Sequence, residues 1–366
     1  MHQFTAVLAD RDAVGAHTLE LHRLLGELGA EARIYAGHVE EGLRGVGRDF
    51  RVHDDHAPPD LVIYQASTGT PVADHVLGRP EPLVVDYHNI TPSEHFEPWE
   101  PAIAAELDHG RRQLARLARR AVLGLADSRF NAAELEAAGC ADTRVAPILF
   151  DRSRWASPVP RVVVDRLRRE LGDRPVWLFV GRVAPNKAHH DLVSALAVHR
   201  SRTAARTRLV LVGGASSDRY RRAVVEHASR AGVGDSVVFA GSVGDDELAA
   251  WYEVADVFVC LSDHEGFCVP LLEAMARGLP IVAHAATAVP ETLAGAGLVL
   301  ADKAPTTVSC AVERVTSDRR LRESLISRGR SRLRDFDLDR TTAVFRDALV
   351  PLLERVTRAV RAGGTA

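Results

Sequence analysis

The alternation of short apolar runs with amphipathic helical patterns constrains the fold of this chain more than any other feature. Residues 4–9 predict a buried strand, and residues 18–28 predict an amphipathic helix that ends at Gly29. Further strands are predicted at 32–35, 61–64, 83–85 and 122–126. Apolar strands that alternate with helices are typical of a parallel, doubly wound α/β sheet.

The alternation stops between residues 151 and 175, where Pro158, Pro160 and a charged stretch stand, and then begins again. New strands are predicted at 176–180, 209–212, 237–239, 257–261 and 280–283. A chain of 366 residues suits two domains. We therefore expect one domain over residues 1–157, a second over 158–340, and a last helix over 341–366 that ends in a disordered tail from Gly363.

Composition and charge exclude several classes of protein. The formal net charge is -3, which implies no nucleic-acid partner. Four scattered cysteines show no C-x-x-C spacing and indicate a reducing compartment. The first residues do not resemble a signal peptide, and no apolar run approaches the ~18 residues of a membrane span. We expect a cytoplasmic protein.

The segment from Glu265 to Glu273 carries the strongest chemical signal. It follows the predicted strand 257–261 and leads into a helix that ends at Gly278, with Pro270 where a helix begins. Glu265 then stands in the loop, and Glu273 stands on the helix. Unpaired N–H groups at the positive end of a helix bind anions, and carboxylates accept hydrogen bonds from hydroxyl groups. This combination suits a phosphorylated sugar.

The spacing of Glu265 and Glu273, with Gly266-Phe267 and Pro270 between them, resembles the E-x7-E motif of retaining glycosyltransferases of the GT-B architecture, especially family 4. The resemblance covers nearly the whole chain but is specific only in the second half. It implies two Rossmann-like doubly wound domains that face each other across a cleft, with the last helix crossing back to the first domain. It also implies transfer of a hexosyl group from a UDP- or GDP-sugar to a hydroxyl of a glycan, a lipid or a small molecule. The nucleotide sugar is a co-substrate, and no cofactor is expected.

A phosphate-binding loop is predicted after the first strand of the second domain. Gly181-Arg182 and Lys187 match the family's Gly-Arg…Lys pattern, and only Lys187 and Lys303 are lysines in this arginine-rich chain. Fixed cations there stabilise the charge that develops on a departing diphosphate. The alternative is a loop with ordinary surface cations.

By resemblance, Glu265 contacts the donor sugar near the reacting carbon, and Glu273 accepts hydrogen bonds from the ribose. Backbone groups complete the donor site at Gly266, Phe267, Cys268 and Val269, and at the strand-end residues Gly213, Gly214 and Val243. Simple turn glycines are the alternative at 213 and 214. The family's small glycines are replaced by Thr287 and Ala288, so Glu291 is given no role beyond the fold.

The first domain is expected to bind the acceptor. His88 and Asn89 follow the strand 83–85, where family members carry a histidine that faces the donor sugar. Gly15 stands alone in a loop where relatives carry paired glycines. The predicted acceptor residues are Gly15, His88 and Asn89, and the predicted catalytic residues are Glu265, His88, Arg182 and Lys187. A loop histidine bound only by backbone is the alternative for His88. Ser128 or Asn131 is predicted to cap the helix that follows.

Two features carry weaker signals. Asp10-x-Asp12 mimics the metal-binding D-x-D of another glycosyltransferase fold, but the same triplet recurs at Asp335-x-Asp337. With Arg182 and Lys187 available for charge, we expect no metal. The basic helix 111–120 suits either peripheral membrane contact or a solvated arginine face, and the latter is favoured.

Three other functions remain as alternatives. A GT-B sugar-nucleotide epimerase is the nearest, and a non-catalytic nucleotide-sugar binding protein is the next. A dinucleotide-dependent oxidoreductase is disfavoured because no G-x-G-x-x-G follows the strand 4–9 or the strand 176–180. The oligomeric state is left open.

Overall fold

The structure is a computed structural model that describes residues 1–53, 59–203 and 206–363, with side chains up to residue 355. It divides into two compact units. Unit 1 comprises Met1–Ser93, Ala102–Phe150 and Phe336–Ala366, and unit 2 comprises Glu94–Pro101 and Asp151–Asp335. Residues 364–366 of the predicted disordered tail lie outside the described residues.

The division differs from the predicted boundary at 157/158. Residues 151–157 group with unit 2 because Trp155 packs edge-on against Tyr252 at 5.4 Å and lies 5.7 Å from the guanidinium of Arg277. Glu94–Pro101 also groups with unit 2, which the sequence did not predict. Here Trp99 packs edge-on against Tyr220, and Glu100 accepts a hydrogen bond from the Ser217 hydroxyl at 2.6 Å.

Over its described residues, unit 1 is built on seven strands: β1 (His2–Leu8), β2 (Arg33–Val39), β3 (Gly47–Asp49), β4 (Val62–Ala66), β5 (Leu83–Tyr87), β6 (Leu123–Ala126) and β7 (Thr143–Val145). Its helices are α1 (Ala13–Glu27), α2 (Pro71–Leu77), α3 (Pro101–Arg120), α4 (Arg129–Ala137) and the C-terminal α14 (Leu338–Gly363).

Leaving aside residues 204 and 205, which are not described, unit 2 is built on six strands: β8 (Val176–Val180), β9 (Arg208–Val212), β10 (Val237–Gly241), β11 (Val257–Cys260), β12 (Ile281–His284) and β13 (Leu298–Leu300). Its helices are α5 (Ser153–Ala156), α6 (Arg161–Leu171), α7 (His189–Thr203), α8 (Asp218–Arg230), α9 (Asp245–Val254), α10 (Val269–Ala276), α11 (Val289–Leu293), α12 (Pro305–Ser317) and α13 (Arg319–Leu333).

Both sheets confirm the predicted doubly wound architecture. The strand orders are β3-β2-β1-β4-β5-β6-β7 and β10-β9-β8-β11-β12-β13, and every pair of neighbouring strands is parallel. The order reverses between β1 and β4 in unit 1 and between β8 and β11 in unit 2. Ligands of such sheets bind at the carboxyl ends of the strands, beside this switch point.

Helix α14 contributes directly to the core of unit 1. Phe345, Ala348, Leu349 and Leu352 follow the spacing of one helical face, and all four are buried with α1 and the strands β4 and β5. The helix begins at Leu338, three residues before the sequence-based start. This face explains why residues 336–366 group with unit 1.

Helix α1 begins at Ala13, earlier than predicted, because Asp12 caps it. The Asp12 carboxylate accepts a hydrogen bond from the Gly15 amide at 3.2 Å. Gly15 is buried, and a Cβ atom there would lie 2.0 Å from the Ala9 carbonyl oxygen. The lack of a side chain at Gly15 therefore allows the helix to approach the end of β1, which is a packing reason independent of any ligand.

We expect Gly15→Ala to lower the free energy of unfolding by about 1–3 kcal/mol, because the backbone of Ala9 must move to admit the methyl group. Gly26→Ala is the matched control in the same helix. It has open space at its Cβ position and should gain roughly 0.5–1 kcal/mol from helix propensity. Urea unfolding followed by circular dichroism compares the two. Equal effects of both substitutions would contradict the packing explanation.

Candidate functional site

The predicted donor residues of unit 2 lie at one edge of its sheet. Gly181 follows β8, Gly213 and Gly214 follow β9, Val243 comes shortly after β10, and Glu265 comes after β11. Because all these strands are parallel, their carboxyl ends meet at this edge. A Cβ atom at Gly213 would lie 2.2 Å from the Gly181 carbonyl oxygen. Close packing of the two loops therefore explains Gly213 without a ligand.

Lys187 and Glu265 form an ion pair beside the switch point of unit 2. The Lys187 Nζ lies 2.7 Å from Glu265 Oε1, and the two side chains are 21% and 8% exposed. Burial of Lys187 opposes its charged form, but the Glu265 carboxylate outweighs this effect and raises the pKa of the ammonium group. A lysine that keeps its charge and a nearly buried carboxylate thus lie side by side, and the donor-site roles predicted for them from their separate motifs stay predictions.

Arg182 differs from Lys187. Its side chain is exposed, and it makes no hydrogen bond or ion pair with any described residue. Since guanidinium groups bind phosphate oxygens in pairs, an exposed arginine beside Lys187 can turn toward a bound diphosphate. The ion pair with Glu265 holds Lys187 in place, whereas no described residue holds Arg182, and the phosphate contacts of both residues stay predictions.

Two threonines hold the loop that carries Glu265. The Thr287 hydroxyl accepts a hydrogen bond from the Glu265 amide at 2.8 Å and donates one to the Glu265 carbonyl at 2.6 Å. The Thr292 hydroxyl donates to the Phe267 carbonyl at 2.7 Å. The sequence marked Thr287 only as a departure from the family pattern. Nothing in the sequence around Glu265 indicates that a residue 22 positions away forms hydrogen bonds with its backbone.

Cys268 is the residue that precedes α10, and its backbone has φ = 71°, a left-handed conformation that side chains disfavour. Its sulfur lies 4.0 Å from that of Cys260 at the end of β11. This turn starts α10 at Val269. The first N–H groups of a helix have no partner within it. Pro270 has no N–H, and the Leu271 N–H donates to the Cys268 carbonyl at 3.0 Å, which leaves the Val269 N–H to donate to an anion.

Glu273 is in a different electrostatic environment from Glu265. Its Oε2 accepts a hydrogen bond from the Tyr252 hydroxyl at 2.6 Å, and burial raises the pKa of Glu273 to about 7. One glutamate is thus paired with a cation, and the other is held by a neutral hydroxyl. The sequence did not predict Tyr252, because it lies on α9, distant from every motif.

The second lysine of the chain supports the same loop. Lys303 Nζ lies 2.5 Å from Asp263 Oδ1 and 2.6 Å from Asp191 Oδ2. Asp263 precedes Glu265 by two residues, so this bridge connects the loop after β11 to the start of α7. The scarcity of lysine was the one sequence signal that could have indicated Lys303.

In unit 1, hydrogen bonds determine the protonation state of His88. The Thr18 carbonyl can only accept, so the Gln3 amide nitrogen donates to it at 3.4 Å. The Gln65 nitrogen donates to the Gln3 oxygen at 3.2 Å, and the Gln65 oxygen then faces His88 Nε2 at 2.5 Å. His88 Nε2 must therefore donate.

The other ring nitrogen, His88 Nδ1, lies 3.0 Å from the Asp127 carboxylate, which also accepts. Both nitrogens donate, so His88 is an imidazolium. Burial opposes this charge, but Asp127 and Asp86 outweigh it and raise the pKa of His88 to about 9. The side chain is 1% exposed, so it acts as a fixed buried cation and not as a free base. Its predicted catalytic role stays a prediction.

Asn89 has left-handed backbone (φ = 81°), and its side-chain nitrogen donates to Asn131 Oδ1 and to Glu134 Oε2, both at 2.9 Å. These contacts hold the turn after β5, so the predicted acceptor contacts of Asn89 and of the buried Gly15 also stay predictions. Ser128 caps α4 by accepting from the Asn131 amide at 3.1 Å, which confirms one of the two predicted caps.

A cavity of about 410 Å³ that the sequence did not predict opens at the carboxyl end of β2 in unit 1. Arg44 and Arg48 line it, and their side chains make no hydrogen bond or ion pair with described residues. The arginines at positions 44–51 were the sequence signal that could have indicated a basic cavity here. This cavity and the turn after β5 both lie at the carboxyl edge of the sheet, where an acceptor is expected.

Within the part of the chain that the structure describes, two groups of side chains have the spacing of metal ligands. In unit 1 they are His17, Asp86 and His88; in unit 2 they are Cys260, Glu265 and Cys268. His17 Nδ1 accepts from the Leu149 amide at 3.0 Å, so its Nε2 donates to Asp86 at 2.9 Å. In unit 2, the Lys187 ammonium group likewise engages the Glu265 carboxylate, at 2.7 Å. Other bonds therefore engage donor atoms that an ion would require in each group.

The basic helix predicted at 111–120 lies within α3, and several of its arginines bind within unit 1. Arg111 donates to the Ile90 carbonyl and to Glu134, and Arg120 donates to two carbonyls at 2.6 Å. These arginines hold the helix in place, whether or not its exposed side touches a membrane. Among the described residues, no helix combines the length and the apolar character that a membrane crossing requires.

We expect Asp127→Asn to lower the pKa of His88 from about 9 by about 1–3 units, because the variant removes the main opposing charge. NMR titration of the histidine Cε1–H resonances measures it, and Asp142→Asn at an exposed carboxylate is the control. The raised pKa stabilises the fold fully below the ordinary value of 6.5, and this contribution is lost as pH rises through about 9. An unchanged His88 titration in Asp127→Asn would contradict the assignment.

Residues 165–332 match the family described as "Glycosyl transferases group 1". Among curated relatives, a GDP-mannose-dependent alpha-(1-6)-phosphatidylinositol monomannoside mannosyltransferase of Mycobacterium tuberculosis is 36% identical over 163 residues, which are 42% of this chain and 41% of that protein. A D-inositol 3-phosphate glycosyltransferase of Salinispora arenicola is 35% identical over 211 residues, 55% of this chain and 45% of that protein. The matches thus span less than half of these relatives' lengths.

Solved structures share the fold over nearly the whole chain. HepE of Anabaena, in complex with UDP and glucose, superposes with a TM-score of 0.75 at 20% identity and covers 96% of this chain and 99% of its own. The sucrose-phosphate synthase of Thermosynechococcus elongatus superposes with a TM-score of 0.76 at 17% identity. The superposition covers 97% of this chain and 100% of the synthase chain. The chain therefore has the GT-B fold, and the match to the glycosyl transferases group 1 family is confined to residues 165–332.

Proposed function

We propose that this protein is a retaining glycosyltransferase that moves a hexosyl group from a nucleoside-diphosphate sugar to a hydroxyl acceptor. The observation that carries the proposal is the contact between Lys187 and Glu265 at the switch point of unit 2. Lysine there suits the diphosphate, and the carboxylate suits the sugar hydroxyls. UDP- and GDP-sugars are the proposed donors, in keeping with the UDP and GDP-mannose named for similar proteins.

The ion pair also indicates how the site responds to the donor. A diphosphate that approaches Lys187 competes with Glu265 for the ammonium group. As Lys187 turns to the phosphate, the Glu265 carboxylate becomes available to the sugar, while Thr287 holds its backbone in place. Arg182 adds a second charge as the bond to the leaving diphosphate breaks.

Retention requires no protein nucleophile in this proposal. The departing diphosphate takes the proton of the acceptor hydroxyl on the face that it leaves, and the enzyme supplies positioning and fixed charge. We assign acceptor binding to unit 1, at the carboxyl edge of its sheet. The imidazolium of His88 lies buried at this edge, where the carboxylates of Asp127 and Asp86 stabilise its charge.

The direct test is incubation with UDP-glucose and with GDP-mannose, alone and with simple sugar acceptors, followed by ¹H NMR of the anomeric proton. Transfer with retained α configuration supports the proposal. Inverted product would contradict retention, and an isomerised nucleotide sugar would identify an epimerase. Thermal shifts with UDP and GDP rank the bases, since a ligand at ~100 times its Kd adds about 2.7 kcal/mol.

We expect Glu265→Gln and Glu273→Gln to fail in different ways. Glu265 is paired with Lys187 near the phosphate loop, so its loss should lower kcat with little change in nucleotide Kd. Any change in Kd should be toward tighter binding, because Glu265 competes with the diphosphate for Lys187. Glu273 faces Tyr252 on the neighbouring helix, so its loss should weaken binding of the free nucleoside diphosphate. Calorimetric Kd and steady-state kcat separate the two effects.

Glu226→Gln on exposed α8 is the control for this pair, since it makes the same change to an exposed ion pair with Arg230. A loss of nucleotide affinity in Glu265→Gln equal to that in Glu273→Gln would show that the two glutamates do not divide the donor between them.

We expect activity to survive EDTA, because Lys187 and Arg182 can neutralise the diphosphate without a metal ion. Asp12 of the Asp10-x-Asp12 triplet caps α1, which accounts for it without a metal. The measurement is the initial rate after dialysis against EDTA, with and without added Mg²⁺ or Mn²⁺. A complete loss that either ion restores would contradict the prediction.

A further inference from the structure

A second basic cavity lies in unit 2, at the edge of the sheet opposite the donor loops. It has a volume of about 340 Å³ and is lined by Arg174, Arg200, Arg206, Arg208, Asp235 and Ser236. Arg174 precedes β8, Arg208 begins β9, and Asp235 and Ser236 precede β10. The cavity therefore sits at the amino ends of three neighbouring strands.

This position separates the cavity from the proposed donor site. Strand β9 runs for five residues from Arg208 to Val212, and Gly213 follows at the donor edge. Five residues of strand span roughly 16 Å. A diphosphate held by Lys187 cannot also occupy this cavity, so any ligand here is a second one.

The charge around the cavity is unbalanced. Four guanidinium groups face one carboxylate, that of Asp235, although the whole chain carries a formal net charge of -3. Burial, and then the neighbouring charges of Arg174 and Arg200, lower the pKa of Arg208. Residues 204 and 205, which lie outside the described residues, are both alanines and add no charge. The fold thus brings like charges together, and an anion would offset their repulsion.

The arginines combine fixed and available donors. Arg200 donates to the Thr207 carbonyl at 3.0 Å, and Arg208 donates to the Asp235 carbonyl at 2.6 Å, which orients both side chains. The Nε of Arg208 is buried without a partner among the described residues. The side chains of Arg174 and Arg206 make no hydrogen bond or ion pair with any residue that the structure describes.

We propose that this arginine cavity is a second anion site that binds a phosphate-bearing ligand. Guanidinium groups match phosphate oxygens in pairs, and several of them around one concave surface suit a group with two or more negative charges. The phosphate belongs either to a soluble phosphate ester or diphosphate, or to the headgroup of an anionic lipid. Both sources offer the same chemistry to the cavity.

The test compares two double variants that each remove two positive charges from unit 2. Arg174→Gln/Arg206→Gln changes the cavity, and Arg320→Gln/Arg328→Gln changes exposed arginines of α13 that have no side-chain partner among the described residues. Both are built on Arg182→Ala/Lys187→Ala, so that the donor loop does not contribute. Circular dichroism and the melting temperature check that each protein is folded.

Calorimetry with pyrophosphate at 150 mM KCl is the first measurement. We expect binding that the cavity variant weakens at least ~10-fold and the α13 variant leaves unchanged, since hydrogen bonds to charged groups are strong. Co-sedimentation with phosphatidylglycerol vesicles, against phosphatidylcholine vesicles, is the second. Loss of vesicle binding in the cavity variant alone, without pyrophosphate binding, assigns the phosphate to a lipid.

Two results would overturn the proposal. One is the absence of both pyrophosphate binding and vesicle binding in the parent protein. The other is equal weakening by the cavity variant and the α13 variant, because it would show that only the overall charge matters. The outcome does not depend on the proposed transferase activity, since neither measurement uses a sugar donor.

Discussion

The direction of the strands in unit 2 is the constraint on which the proposed donor site depends. All six strands run parallel, so the loops that leave β8 and β11 emerge at the same edge, on either side of the switch point. Lys187 and Glu265, 78 positions apart in the sequence, meet there at 2.7 Å. Neither residue could perform its proposed role in a sheet with antiparallel β8 and β11, because their loops would leave at opposite edges.

The ion pair is useful only if the loop after β11 keeps its shape when Lys187 moves to a ligand. Contacts that hold that loop independently of Lys187 include those of Thr287 with the backbone of Glu265, of Thr292 with that of Phe267, and of Lys303 with Asp263. Positioning by groups that do not touch the substrate lowers the cost of organising the site during reaction. The residues around Glu265 therefore form a support that a motif search does not detect.

The sequence predicted most strands of both sheets, because buried parallel strands are apolar runs that stand out from helical patterns. It missed β3, β7 and β13, which are only three residues long and not fully buried, so burial imposes little pattern on them. The sequence placed Lys187 and Glu265 in one predicted donor site because each belongs to a recognisable motif, but it did not predict their ion pair. Thr287, Tyr252 and Asp127 could not, since they act through contacts between elements distant in sequence. The charge of His88 was equally hidden, because it depends on amides of β1 and β4 whose orientation only the folded structure determines.

The two edges of the unit 2 sheet also differ in how their positive side chains are paired with carboxylates. At the carboxyl edge each lysine has a carboxylate partner, although Arg182 has none among the described residues, so a ligand must compete with a carboxylate for either lysine. At the amino edge four arginines share one carboxylate, and two of them lack any side-chain partner among the described residues. A bound anion would exchange with an existing partner at the first edge but would relieve direct repulsion at the second. Each arginine at the amino edge should therefore contribute more to the binding of a simple phosphate than a cation at the carboxyl edge does. Discrimination between ligands should be greater at the carboxyl edge, because a ligand there must offer enough contacts to replace Glu265.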